Sequence, residues 1–341
     1  MLWCATAPWF LAAVLRGQDL DLPRIAEIVQ AYDDSIETLR IRTHTVWPSD
    51  TARKADPSLF GPGVILVQEF ARAQGVRRHV TYTQTDGIDS NREQYYNVGE
   101  DSYFIREGDT TEAPAARINR ADNPVRPTIL QGLYGRDGQP LHALLRGPNA
   151  RSVGRKNVDG LSCYEVEVME PPYKVVWYID PEHDLLCRKK VYFTPDGSLD
   201  TSWKVLEFKR IPNRWFPHKV IHEAFIMAGG RKISHVSNTE VDELHINEPI
   251  DQKLFQPIIP DGAAVEDSRG REPRNYIQGG EEARKRIINR RKAAAEDGEG
   301  NSGRRIAVKG QGNWMPWVAG GMALVSCTIL IYAAKLRLAR R

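Results

Sequence analysis

The sequence predicts an α+β protein. Its body is a single large curved antiparallel sheet, a half-open β-barrel of about eleven strands, wrapped around an N-terminal helix and followed by a C-terminal transmembrane helix. Three observations predict this. One amphipathic stripe of helical period covers Asp21–Leu39, and after it the apolar period drops to two and keeps that rhythm through a series of turn signals. Finally, Trp314–Ala334 holds no charged residue.

The helix comes first. Ile25, Ile28, Val29, Tyr32, Ile36 and Leu39 fall on one helical face, Asp21 is suited to cap the start, and Pro23 suits the first turn. Leu39–Trp47 then alternates, with Leu39, Ile41, Thr43, Thr45 and Trp47 on one side and Arg40, Arg42 and His44 on the other. Ser49–Pro62 is a polar insertion containing proline. Further strands are predicted at Val64–Arg72, Val76–Gln84, Glu93–Val98 and Ser102–Arg106, separated by Gln74-Gly75, Asp86-Gly87 and Gly99-Glu100-Asp101.

The rhythm breaks over Thr110–Asn149, where scattered apolar residues in Pro127–Leu145 predict one or two short helices covering one end of the sheet. Strands resume at Cys163–Met169, Lys174–Ile179 and Leu185–Phe193, the last closed by the turn Thr194-Pro195-Asp196-Gly197. Ser202–Ile211, Trp215–Met227 and Arg231–His245 complete the set. With short turns joining nearly all of them, the strands form one sheet, and the only long amphipathic helix must fill its curve.

The two ends differ from the body. Residues 1–18 read as a signal segment whose apolar core lacks the usual preceding basic residue, and residues 19–267 form the β domain. Residues 268–313 form a basic, flexible linker. Its run Arg284, Lys285, Arg286, Arg290, Arg291 and Lys292 suits anionic lipid headgroups, although Glu281, Glu282, Glu296, Asp297 and Glu299 bracket it and dilute its field. Residues 314–334 are long enough to cross about 30 Å of hydrocarbon, with Trp314, Trp317 and Tyr332 placed for the interfaces. Residues 335–341 are a basic tail, which favours a cytoplasmic C-terminus. With a signal segment the body lies in the periplasm or an equivalent extracytoplasmic space; without one the chain is tail-anchored and the body faces the cytosol.

Composition excludes several classes. A formal net charge of +3 argues against a dedicated nucleic-acid binder, and 41% hydrophobic residues argue against a disordered chain or a multi-span membrane protein. No catalytic signature is found. His218 and His222 are spaced for zinc only on a helix, and the segment reads as a strand. Asp180, Glu182, His183 and Asp184 form an acidic cluster that a hairpin turn explains. Gly298–Gly303 matches a dinucleotide pattern by letter but lacks the strand and helix it needs. Cys163 and Cys187 fall on strands two spacings apart, about 9.6 Å, which predicts two free, half-buried thiols. No cofactor, metal ligand or catalytic residue is expected, and no individual ligand-binding residue is singled out. The aromatic residues of the strands, among them Trp47, Phe70, Tyr82, Phe104, Trp177 and Trp203, are expected to form the core, with a subset lining a cavity.

The order of helix, five strands, helical interruption and six strands resembles the LolA/LolB-like family, including its outer-membrane lipoprotein-sorting-like members. The resemblance is carried by Ala31–Trp47, by Val175–Gly197 and by the closing segment Asn247–Asp267, with Phe255, Pro260 and Gly262. It implies a hydrophobic concavity that holds acyl chains or an apolar polypeptide segment. The chain is then expected to be a membrane-tethered binding module for a lipid or lipoprotein acyl chain, with no covalent chemistry. The alternative is an envelope sensory or scaffold protein that binds a protein partner through the same fold.

Overall fold

The computed structural model describes residues 20–47, 64–107, 113–120, 126–228, 231–286 and 288–289. The predicted signal segment, the insertion after Pro48, the linker beyond residue 289, the apolar segment 314–334 and the basic tail lie outside the described residues. Among the described residues no helix is long and apolar enough to cross a membrane.

The helix α1 spans Leu22–Asp34. Asp21 caps it by accepting a hydrogen bond from the Arg24 amide at 2.9 Å. Its buried stripe is Ile25, Ala26, Val29 and Tyr32. The helix stops earlier than predicted: Ile36 and Leu39 keep the stripe buried, but Leu39 already belongs to the first strand.

The strands are β1 (Thr38–Val46), β2 (Val64–Ala73), β3 (Val76–Thr85), β4 (Ile88–Val98), β5 (Asp101–Arg106) and β6 (Ala115–Arg120). A 3₁₀ segment (Thr128–Leu133) and the short helix α2 (Leu141–Arg146) interrupt them. Then follow β7 (Ala150–Val158), β8 (Leu161–Glu170), β9 (Tyr173–Asp180), β10 (Leu186–Phe193), β11 (Leu199–Ile211), β12 (Arg214–Ala228), β13 (Arg231–Ile246), β14 (Ala264–Asp267) and β15 (Arg274–Ile277).

All fifteen lie in one sheet, ordered β15-β14-β6-β5-β4-β3-β2-β1-β13-β12-β11-β10-β9-β8-β7. This corrects the expected strand number of about eleven: among the described residues the sheet has fifteen strands, is not closed, and ends at β15 and β7. It is also mixed, because β14 pairs parallel with β6. The ordered sheet reaches past Asp267, since β15 falls within the stretch that the sequence assigns to the linker.

Burial shows that the sheet curls. If flat, the eight neighbours from β2 to β8 would span roughly 34 Å at about 4.8 Å each. Yet Phe70, Ile41, Val241, Val220, Val205, Cys187, Trp177 and Val166, one from each, join a single cluster with α1, the 3₁₀ segment and α2. The face carrying them is therefore concave. Hydrogen bonds pin the helices there: Tyr32 donates to the Trp215 carbonyl at 2.8 Å, and Arg72 donates to Asp33 and to the Ile36 carbonyl, both at 3.0 Å.

Candidate binding surface on the concave face

Beneath the helices the concavity is full. Trp177 and Trp203 are 0% and 1% exposed, and Ile129 and Leu130 of the 3₁₀ segment pack in the same cluster. Trp203 Nε1 donates to the Thr128 carbonyl at 2.9 Å, and the Thr128 amide donates to Gln68 Oε1 at 3.2 Å. Lys190, 2% exposed, lies over the Trp177 ring at 4.1 Å. The greasy hollow expected around α1 is thus occupied by the protein's own side chains.

The neighbouring part of the concave face is different. Register aligns Ile41 with Phe70, Phe70 with His79, His79 with Tyr95, and Tyr95 with Phe104. The row continues to Arg117 on β6 and Glu266 on β14. Ring centroids along it lie 6.3 Å (Phe70–His79), 6.1 Å (His79–Tyr95) and 4.9 Å (Tyr95–Phe104) apart. Phe70 and His79 are buried, whereas Tyr95 and Phe104 are only half-buried. Side chains on alternate positions of a strand share a face, so the rings run across the sheet and not along one strand.

Polar groups lie within and beside this row. Burial pushes His79 down to about 4, so its imidazole is neutral at pH 7. Among the described residues neither of its ring nitrogens has a hydrogen-bond partner, nor does Thr43 Oγ1, which is fully buried. Tyr95 donates to Glu93 at 3.0 Å, and burial followed by that carboxylate's charge holds its phenol well above the ordinary range. Thr45 and Thr239 share a hydrogen bond of 2.7 Å across β1 and β13. Further along the face Trp47 stacks on His235 with centroids 6.4 Å apart. The surface is amphipathic: aromatic faces alternate with hydrogen-bonding groups, uncharged at Thr43, Thr45 and His79 and anionic at Glu93.

The residues singled out from sequence are dispersed. His218 and His222 lie on β12; His218 is 3.9 Å from Glu240, and burial, followed by the charges of His235 and Lys190, pushes His222 down to about 4. Asp180 accepts from Arg188 at 2.6 Å, from His183 at 2.8 Å and from the Glu182 amide at 2.8 Å, which ties the β9–β10 turn together. His183 also stacks on Phe208, its centroid 4.5 Å away. Cys163 and Cys187 are free and fully buried, not half-buried as expected, and burial pushes both thiols up to about 12. No group of three His, Cys, Asp or Glu side chains among the described residues is placed to hold a metal. Of the aromatic residues expected in the core, Trp177 and Trp203 plug the helix end, Tyr82 is buried on the opposite face, and Phe104 joins the ring row. Sequence reasoning missed His79 and Tyr95, because the row becomes visible only once strand register is known.

No protein-family model matches the chain, and no curated protein matches it. Solved structures similar to it include a LolA superfamily protein from Nitrosomonas europaea, with 12% identity over 70% of this chain and 99% of that one, and a TM-score of 0.40. A DUF1329 family protein from Desulfovibrio piger has 13% identity over 70% of this chain and 98% of that one, with a TM-score of 0.39. An outer membrane lipoprotein-sorting protein domain from Vibrio parahaemolyticus has 10% identity over 69% of this chain and 97% of that one, with a TM-score of 0.36. The chain is thus distantly similar to LolA superfamily and lipoprotein-sorting proteins, the groups that the sequence resemblance names.

Proposed function

We propose that this chain is a non-covalent binding module that holds an amphipathic lipid or acylated protein along the ring row of its concave face. In this reading the segment 314–334 tethers it to a membrane, the body lies on the extracytoplasmic side, and the basic run from Arg284 to Lys292 rests on anionic headgroups. The observation that carries the reading is the row Phe70–His79–Tyr95–Phe104, whose outer rings are half-buried beside a helix end that is already packed. Burying an acyl chain there contributes about 0.8 kcal/mol per methylene. Polar groups beside the rings, such as the His79 imidazole and the Thr43 hydroxyl, give the ligand's ester or amide portion hydrogen-bond partners.

The test is lipid extraction and mass spectrometry of the full chain purified from membranes. The wild type is expected to carry a lipid or acylated species, and a Tyr95→Ala/Phe104→Ala variant of unchanged circular dichroism is expected to lose most of it. A lipid-free wild type that instead retains a stable protein partner would overturn this reading in favour of a scaffold.

A further inference from the structure

We propose that the C-terminal ends of the paired strands β6 and β14 carry a binding groove for a phosphate group. The groove has a volume of about 800 Å³ and is lined by Arg117, Arg120, Arg269 and Arg271, with Glu266 as the one carboxylate among its lining residues. The Asn119 amide and the Ser268 hydroxyl add uncharged donors. Four guanidinium groups stand against three carboxylates, Glu266 in the lining and Asp267 and Asp101 bonded to Arg269, which leaves one net positive charge, carried on the side of Arg120 and Arg271.

The four arginines fall into two pairs with different roles. Arg269 is held from two sides. Its Nη2 and Nε donate to Asp267 at 2.7 and 2.9 Å, and its Nη1 donates to Asp101 at 2.9 Å. Arg117 Nε donates to Glu266 at 2.9 Å. These two side chains are already ordered, so a ligand need not order them. Arg120 and Arg271 are exposed and have no carboxylate partner among the described residues. They are the pair with charge to give. A planar carboxylate can engage one guanidinium fork face to face, whereas the tetrahedral oxygens of a phosphate can engage several forks arranged around it. The groove also continues the ring row, because Arg117 is the cross-strand neighbour of Phe104. A lipid whose chains lie on the rings would bring its phosphate to the Arg117 side of the groove, Arg120 lying on the other face of β6; that last step rests on the proposed function, whereas the groove itself does not.

The experiment is calorimetric titration of the full chain, in a neutral detergent, with inorganic phosphate, with dihexanoyl phosphatidic acid and with dihexanoylglycerol. The comparison is an Arg120→Gln/Arg271→Gln variant, which changes only exposed side chains and is checked for fold by circular dichroism. Dihexanoyl phosphatidic acid is expected to bind the wild type and to bind the variant about tenfold or more weakly, with the wild-type affinity falling as salt rises. The same loss for inorganic phosphate identifies free phosphate as sufficient; a loss for the lipid alone identifies a headgroup. Absence of binding by both phosphate probes, or equal binding to wild type and variant, overturns the proposal. Dihexanoylglycerol lacks phosphate, so its behaviour reports on the ring row alone and separates failure of that reading from failure of this one.

Discussion

Lys190 Nζ donates to the Tyr134 carbonyl at 2.7 Å, and this buried contact fastens the end of the 3₁₀ segment to β10. The ammonium group also lies over the Trp177 ring at 4.1 Å and the Tyr192 ring at 4.6 Å. Burial outweighs these contacts and pushes Lys190 down to about 8 from 10.5. In the unfolded chain the amine keeps its proton up to the higher value, so between the two values the unfolded state binds more protons. The stability of the wild type is therefore expected to rise with pH across this window, relative to Lys190→Met, by on the order of 3 kcal/mol, and to run parallel to it below about pH 8. Urea unfolding of both proteins from pH 7 to 10.5 checks this; a constant difference over the whole range would count against it.

His79 reports at the acid end. Its folded value of about 4 lies below the ordinary 6.5, so below pH 6.5 the unfolded state takes up a proton that the folded state refuses. Stability is expected to fall as pH drops from 6.5 toward 4, by on the order of 3 kcal/mol for this residue. A His79→Leu variant should show a shallower decline over that interval in chemical denaturation. An unchanged slope would mean that the imidazole is not the group responsible.

Gly132 permits the close approach of the 3₁₀ segment to β11. An added Cβ would overlap the Trp203 ring at Cη2 and Cζ3. The indole is fully buried and bonded to the Thr128 carbonyl, so it has little room to yield. Gly132→Ala is expected to cost roughly 1–3 kcal/mol, read as a lowered Tm. Wild-type Tm in this variant would show that the plug is loosely seated.

Asp180 is 0% exposed and holds Arg188 and His183. Burial alone would raise its carboxyl, but the bond from His183 and the charges of His183 and Arg188 prevail and hold it below the ordinary 3.8. Its contribution is fully present above pH 3.8 and is lost as pH falls through the lower folded value. Asp180→Asn leaves the guanidinium uncompensated and is expected to cost roughly 3–5 kcal/mol at pH 7. Equilibrium unfolding measures the loss; one below about 1 kcal/mol would make the tie a surface-like pair.

Much of the fold is legible in the sequence. The stripe Ile25–Val29–Tyr32 marks α1, and period two marks every long strand from β1 to β13 except β7. The missed strands lack that signal for physical reasons. β7 is an edge strand, exposed along most of its length, so its side chains need no apolar alternation. β6 reads AARINR, with only Ala116 and Ile118 buried, and β14 and β15 are four residues each, too short to establish a period. The binding surface is less legible than the fold. Phe70 and Phe104 can be assigned to strands from sequence, but their place in one row with His79 and Tyr95 depends on pairing register, including the irregularity between Thr81 and Thr83. The basic groove draws Arg117 from one of the missed strands and Arg269 and Arg271 from the stretch assigned to the linker, so nothing local marks it.

The parallel ladder between β14 and β6 joins residues 264–267 to residues 115–118, far from their neighbours in the chain. Tension arriving from the C-terminal side would meet β15 first, then β14, each held by a four-residue ladder, before reaching any strand that touches α1. Under such a load the two short ladders are expected to part first, dismantling the arginine-lined groove that β14 helps to build while the helix-packed centre stays folded.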